Sequence, residues 1–227
     1  MEAILSPLRA GDGIACFTRL YLAVTRGVQE RLDGVAFADP AFLAQLDVRF
    51  ADLFFGAVDA AAHTPAAWAP LFEARDRKGV APLQFALAGM NAHINRDLPV
   101  ALVAACIEAG IAPATGSPQH ADYLRVNTLL GTVMDEVKQQ YLGGQLARLD
   151  RLVHRLDRID DVVAMWDIAR ARDAAWTNAE ALWALQGDGA LTSRFVAALD
   201  RTVGLAGRGL LIPADTLLRR VGRLFHG

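Results

Sequence analysis

The chain has 227 residues, 53% hydrophobic and 21% charged, which excludes a disordered chain and supplies a core without disulfide or metal staples. Its 23 basic and 25 acidic side chains leave a net charge of -2, so no electrostatic footprint for nucleic acid exists. Two cysteines, Cys16 and Cys106, are too few for a disulfide scaffold and fit a reducing cytoplasm. The start, Met1-Glu2-Ala3-Ile4, lacks the basic and apolar regions of a signal peptide. No apolar run reaches the length of a membrane span. The expectation is a cytoplasmic, apolar-rich globular protein with no transmembrane segment.

Phe17, Leu20, Tyr21, Val24 and Val28 recur at helical spacing and predict a helix over 14–32. Three dipeptides then mark helix starts: Asp39-Pro40, Thr64-Pro65 and Ser117-Pro118. Each places a side-chain acceptor before a proline that has no amide hydrogen to leave unpaired. They predict helices over 40–62, 66–76 and 119–142. The first of these carries Phe42, Leu43, Leu46, Phe50, Leu53, Phe54 and Val58. Further helices are expected over 82–109, 145–158, 160–186, 191–204 and 214–225. Gly34, Gly79, Gly110, Gly143-Gly144 and Gly187 sit where these patterns stop. Gly204-Leu205-Ala206-Gly207-Arg208-Gly209 reads as a flexible inter-helix loop. No stretch alternates long enough to be a strand. The fold class is all-α: one domain over 1–227, a bundle of about eight to nine helices with short loops and antiparallel sequential neighbours.

Two apolar seams invite a second reading. Leu146, Leu149, Leu152, Val153, Leu156 and Ile159 form an amphipathic stripe, with a homodimer seam as the alternative. Leu217, Leu218, Val221, Leu224 and Phe225, beside Arg219, Arg220 and Arg223, read as a closing terminal helix rather than a membrane-surface one.

The stretch that local propensity does not explain is Gly89-Met90-Asn91-Ala92-His93-Ile94-Asn95-Arg96-Asp97-Leu98. On a helix, Leu83, Leu87, Met90, Ile94, Leu98 and Ala101 form one stripe. His93 and Asp97 share one shoulder of it, and Asn91 and Asn95 the other. Asparagine competes with the helix backbone for hydrogen bonds, so two of them beside a His–Asp pair mark a site. Pro99 removes an amide and would kink or break the helix. The plainer reading is a polar layer that fixes helix register.

Gly89-Met90-Asn91-Ala92-His93-Ile94-Asn95 followed by Asp97-Leu98 resembles the central motif of an uncharacterised bacterial family, a domain of unknown function. Phe17 to Thr25, Leu46-Asp47-Val48-Arg49-Phe50-Ala51, and Asp122 with Asn127 are similar to that family as well. Arg96 and Pro99 depart from its pattern, where apolar or small residues are expected. The likeness covers most of the first 130 residues, and the later helices only loosely. It implies a helical fold and brings no known activity.

His93 and Asp97 are thus the candidate catalytic pair. Asn91, Asn95, Tyr21, Phe50, Asp122 and Asn127 are the candidate substrate-binding residues, with Phe54 and Met90 as further apolar walls. Asp52 reads as a surface aspartate. Arg172 and Trp176 are i, i+4 neighbours, read as a stacked surface pair or as an anion contact with a pocket wall. His63, His120, His154 and His226 read as solvent-exposed. Phosphate-binding loops, zinc motifs and nucleophile elbows are absent.

Three function classes follow. The first in rank is an isomerase, cyclase or lyase acting on an apolar small molecule without a cofactor. There Asp97 orients His93 as acid and base, and the asparagines bind a carbonyl. The second is an ester or phosphoester hydrolase with a divalent metal on His93, Asp97 and a third ligand from Asp52, His120 or Asp122. The third is a non-catalytic ligand-binding or interaction module.

Overall fold

Side-chain caps and prolines set where the helices begin. The structure, a computed structural model, describes residues 1–32, 34–60, 64–146 and 168–213. In chain order the elements are α1 (Glu2–Leu5), α2 (Gly13–Gln29), α3 (Pro40–Asp59), α4 (Ala69–Ala74), α5 (Pro82–Ala92), a π-helical turn (His93–Asp97), α6 (Leu98–Ala109), α7 (Pro118–Leu146), α8 (Ile168–Ala184) and α9 (Gly189–Leu210). The protein is all-α, with no strand among the described residues.

Asp39 caps α3 by accepting from the Phe42 amide at 3.0 Å, and the Ser117 hydroxyl accepts from the His120 amide at 3.1 Å at the start of α7. Asp12 and Asp188 cap α2 and α9 in the same way. Gly110 ends α6 in the left-handed conformation, φ 66°. At Thr64-Pro65 the expectation fails in part. The Pro65 carbonyl accepts from the Trp68 and Ala69 amides, forming a turn, and α4 begins only at Ala69.

Three further expectations are corrected. The loop foreseen at 204–209 is helical, and α9 runs to Leu210. Its glycines serve packing: a Cβ on Gly204 would collide with the Ala66 carbonyl, and Gly207 lies against Pro70. Likewise α7 continues through Gly143 and Gly144 to Leu146. Finally, the dominant packing joins helices distant in sequence rather than sequential neighbours. α2 lies on α5, α3 and α8 on α6, and α9 on α5. The 36–39 link between α2 and α3 is tied down by Asp122 of α7 through the amides of Ala38 and Asp39 at 3.1 and 2.7 Å.

The core forms two clusters. One gathers Phe17, Phe54, Trp68, Leu71 and Phe85, and the other Phe42, Leu98, Leu102, Tyr123 and Trp176. The continuous α5–π–α6 helix serves both: Met90 and Ala92 lie in the first, Ile94 and Leu98 in the second. The π turn falls where one cluster gives way to the other. There the Leu98 amide reaches back to the His93 carbonyl, and Pro99 sits in the first turn of α6, where its missing amide costs nothing. The helix therefore passes Pro99 unbroken. Cys16 and Cys106 are both buried and form no disulfide. Among the described residues no helix is long and apolar enough to cross a membrane. The expected helices over 145–158 and 214–225, the homodimer seam, and His63, His154 and His226 lie outside the described residues.

Candidate functional site

The π turn presents a buried pair. His93 is 3% exposed and Asp97 is fully buried, with His93 Nδ1 3.2 Å from Asp97 Oδ2. The indole Nε1–H of Trp68 donates to the same oxygen at 2.9 Å, and Arg96 donates to Oδ1 at 2.9 Å. Arg96 is in turn near Asp200 of α9, Nε to Oδ1 3.5 Å, and Asp200 caps the amides of Ala66 and Ala67. Asp97 is thus surrounded by donors. Its carboxylate makes His93 Nδ1 the protonated nitrogen, which leaves the lone pair of the neutral ring on Nε2. His93 Nε2 is buried and has no hydrogen-bond partner. Burial, opposed by the Asp97 hydrogen bond and charge, lowers the His93 pKa from 6.5, so the ring is neutral at physiological pH.

Aromatic rings fix the imidazole. Phe50 stacks on it with centroids 3.6 Å apart, and Tyr21 meets it edge-on at 4.7 Å. Phe17 is a further edge-on neighbour at 5.8 Å, and Gly89, one turn earlier, lets it pack against the helix, because a Cβ there would run into its ring.

His93 faces a cavity of about 630 Å³ between α2, α3, the π turn, α7 and α8. Its walls are largely apolar, with Phe17, Val24, Val28, Phe50, Met90, Ile94, Leu130 and Met134 among them. Tyr21, Thr25, Gln29, Asp47, His93 and Arg172 are its polar members. Asp47 and Leu32 line the cavity and are exposed, so it opens to solvent on their side. Desolvation holds the Asp47 carboxyl above its usual range, opposed by the positive charge of Arg172. Burial first, then the charges of Asp47 and Asp97, push the Tyr21 phenol far up, so it stays a hydrogen-bond donor. Asp47 was not singled out in the sequence, although it lies three residues before Phe50 and seven before Phe54, on their helix face.

The other expected residues divide. Tyr21, Phe50 and Met90 line the cavity with His93, while Asp97 stands behind the ring and orients it. Phe54 is fully buried against Phe17 and Trp68, outside the lining. Asn91 and Asn95 do not reach the cavity. Asn91 donates to the Val203 carbonyl of α9 at 2.9 Å, and Asn95 donates to Asn91 Oδ1 at 3.1 Å. Lying on the opposite shoulder from His93, they face the opposite neighbour. Asp122 is fully buried, but its oxygens serve the 36–39 link and Arg125. Asn127 acts indirectly: its Oδ1 accepts from Nε of Arg172. Arg172 and Trp176 are not a surface pair, being 6% and 2% exposed. Instead Tyr123 takes both, with the Arg172 guanidinium 4.4 Å over its ring.

Asp52 is exposed, and half-buried His120 packs on Trp176 and accepts from the Gly116 amide at 3.1 Å. Neither they nor Asp122 join His93 and Asp97. Among the described residues no group of three or more His, Cys, Asp or Glu stands together as metal ligands.

Fold and site together define an all-α protein with a carboxylate-oriented histidine at the wall of an apolar cavity. The chain belongs to a family of unknown function, DUF5995, which matches residues 1–213. That span extends well past the first 130 residues and takes in α8 and α9. Comparison with curated proteins and with solved structures gave no match.

Proposed function

We propose that this protein is an acid–base enzyme of the isomerase, cyclase or lyase type, acting on a largely apolar small molecule. The observation that carries the reading is the bare Nε2 of His93. A buried polar atom without a partner costs about 1–3 kcal/mol, and a purely structural layer would be expected to satisfy it. His93 lines an apolar cavity, and its unpaired Nε2 is the base assigned to the reaction. Lowered basicity keeps it unprotonated at neutral pH, as a general base must be.

The chemistry runs in one direction and back. Nε2 takes a proton from an acidic C–H or O–H of the substrate, and Asp97 stabilises the resulting imidazolium through Nδ1. Tyr21, held protonated, donates to an oxygen on which negative charge develops. The imidazolium then returns its proton to a different atom of the product or to a leaving group. The apolar walls exclude water and strengthen each of these interactions.

The test is an untargeted turnover assay. Cell-extract metabolites are incubated with the purified wild type and with His93→Gln, and compared by mass spectrometry. Gln can still donate to Asp97, so the fold should persist. The expected result is at least one compound consumed by the wild type and untouched by the variant. Identical conversion by both would remove His93 from the mechanism. Ligands retained by the wild type with no conversion would make the cavity that of a binding module.

A further inference from the structure

Near the start of α8, Arg172 is 6% exposed and lines the same cavity as His93. Its Nε–H is taken by Asn127 Oδ1, and Tyr123 lies beneath its guanidinium at 4.4 Å. Tyr123 also donates through its hydroxyl to the Arg172 carbonyl at 2.7 Å, which anchors the backbone beneath the side chain. These two neighbours therefore fix the fork in place, yet neither of them is an anion. Among the described residues Arg172 forms no ion pair, and its terminal nitrogens have no hydrogen-bond partner. Buried charges are ordinarily paired, because desolvating an isolated one costs several kcal/mol.

Asp47 is the acidic side chain in the described lining, and it does not form that pair. It stands exposed at the opening. Away from Arg172, Val24 and Val28 of α2 and Leu130 and Met134 of α7 give the lining an apolar stretch, with Thr25 among them. These two helices run in the same direction there, since Gly27 abuts Val133 and Arg31 pairs with Glu136. The cavity thus has a cationic, preorganised fork in one wall and an apolar channel beyond it.

We infer that the ligand is an amphiphilic carboxylate: its head pairs with the two terminal nitrogens of Arg172, and its apolar body fills the channel between α2 and α7. The planar fork suits a carboxylate in bidentate geometry, and a fixed, desolvated guanidinium binds it more strongly than a mobile surface one. The inference deepens the acid–base reading and rests on the same cavity, because a head seated on Arg172 holds the rest of the molecule beside His93. Asn127 is then a positioning residue, acting through Arg172.

The test is isothermal titration of the full chain with dodecanoate and with dodecanol, at a pH where the acid is ionised and below its micelle concentration. The wild type should bind the acid at least about tenfold more tightly than the alcohol, a difference of about 1.4 kcal/mol. Arg172→Met should abolish that preference while still taking up the alcohol, and His93→Gln should keep the preference. Equal affinity of the wild type for acid and alcohol, an undiminished preference in Arg172→Met, or no binding of either probe would overturn the inference. Where Arg172→Met does not fold by circular dichroism, the wild-type preference alone decides. Failure of the catalytic reading looks different: the acid preference stands, and wild type and His93→Gln convert nothing.

Discussion

The imidazole of His93 lies flat on the ring of Phe50, centroids 3.6 Å apart and planes 7° from parallel. This contact and the Nδ1 bond to Asp97 restrain the ring plane and its edge together, so Nε2 is directed before any ligand arrives. Such preorganisation is what acid–base chemistry needs, since reorienting a loose base would add to the barrier. Phe50 comes from α3, Tyr21 from α2 and Asp97 from the π turn, so the site is assembled by tertiary packing.

The first prediction concerns pH. Burial lowers the pKa of His93 from 6.5 in the folded state. As pH falls through that value, the unfolded chain binds a proton at this ring and the folded chain does not. Stability from this group is therefore complete above about pH 6.5 and is lost on acidification until the folded ring also titrates, by up to about 1.4 kcal/mol per pH unit. Urea unfolding at about pH 7.5 and about pH 5.5 should show the wild type losing more stability than His93→Gln. Equal losses would mean that the ring is not held neutral.

The second prediction concerns Asp97. It accepts from His93, Trp68 and Arg96 without exposure to water. Asp97→Asn replaces an acceptor oxygen with a donor amide that must face one of these donors. Denaturant unfolding should report a loss of roughly 2–4 kcal/mol, and Trp68 fluorescence should change as its indole partner is lost. A neutral substitution would contradict the network.

The third prediction separates two glycines of α9. Gly204→Ala drives a methyl group into the Ala66 carbonyl and should destabilise by about 1–3 kcal/mol. At Gly209 the same methyl meets open space, so Gly209→Ala should be neutral or stabilising by up to about 1 kcal/mol. Thermal melts of the two variants compare them directly. Matching behaviour would place α9 differently against the 66–70 segment.

These glycines also show where sequence reasoning stops. Asp39-Pro40 and Ser117-Pro118 were legible as caps because capping is local chemistry, settled within four residues. Gly204 to Gly209 resembled a loop because glycine weakens an isolated helix. It is helical because α9 packs there on other elements, and the glycine at 204 is needed because a distant carbonyl, at Ala66, leaves no room for a side chain. The density of polar groups around His93 correctly marked an unusual stretch, but Asn91 and Asn95 lie across the helix and could not share its cavity. Asp47 was within reach of helical arithmetic through its spacing from Phe50, whereas Asp52 faces water. Arg172 was not, because its role depends on Tyr123 and Asn127, which lie 49 and 45 residues away in sequence.

In the reading proposed, His93 carries its proton on Nδ1 toward Asp97 and keeps the lone pair of a neutral ring on Nε2. Long-range proton–nitrogen NMR of the histidine rings, assigned by comparison with His93→Gln, reads this directly. The predicted result at neutral pH is a pyrrole-type Nδ1 and a pyridine-type Nε2 for His93, with the Nε2 signal moving when dodecanoate enters the cavity. A protonated Nε2, either as the other tautomer or as imidazolium, would leave His93 without a free base.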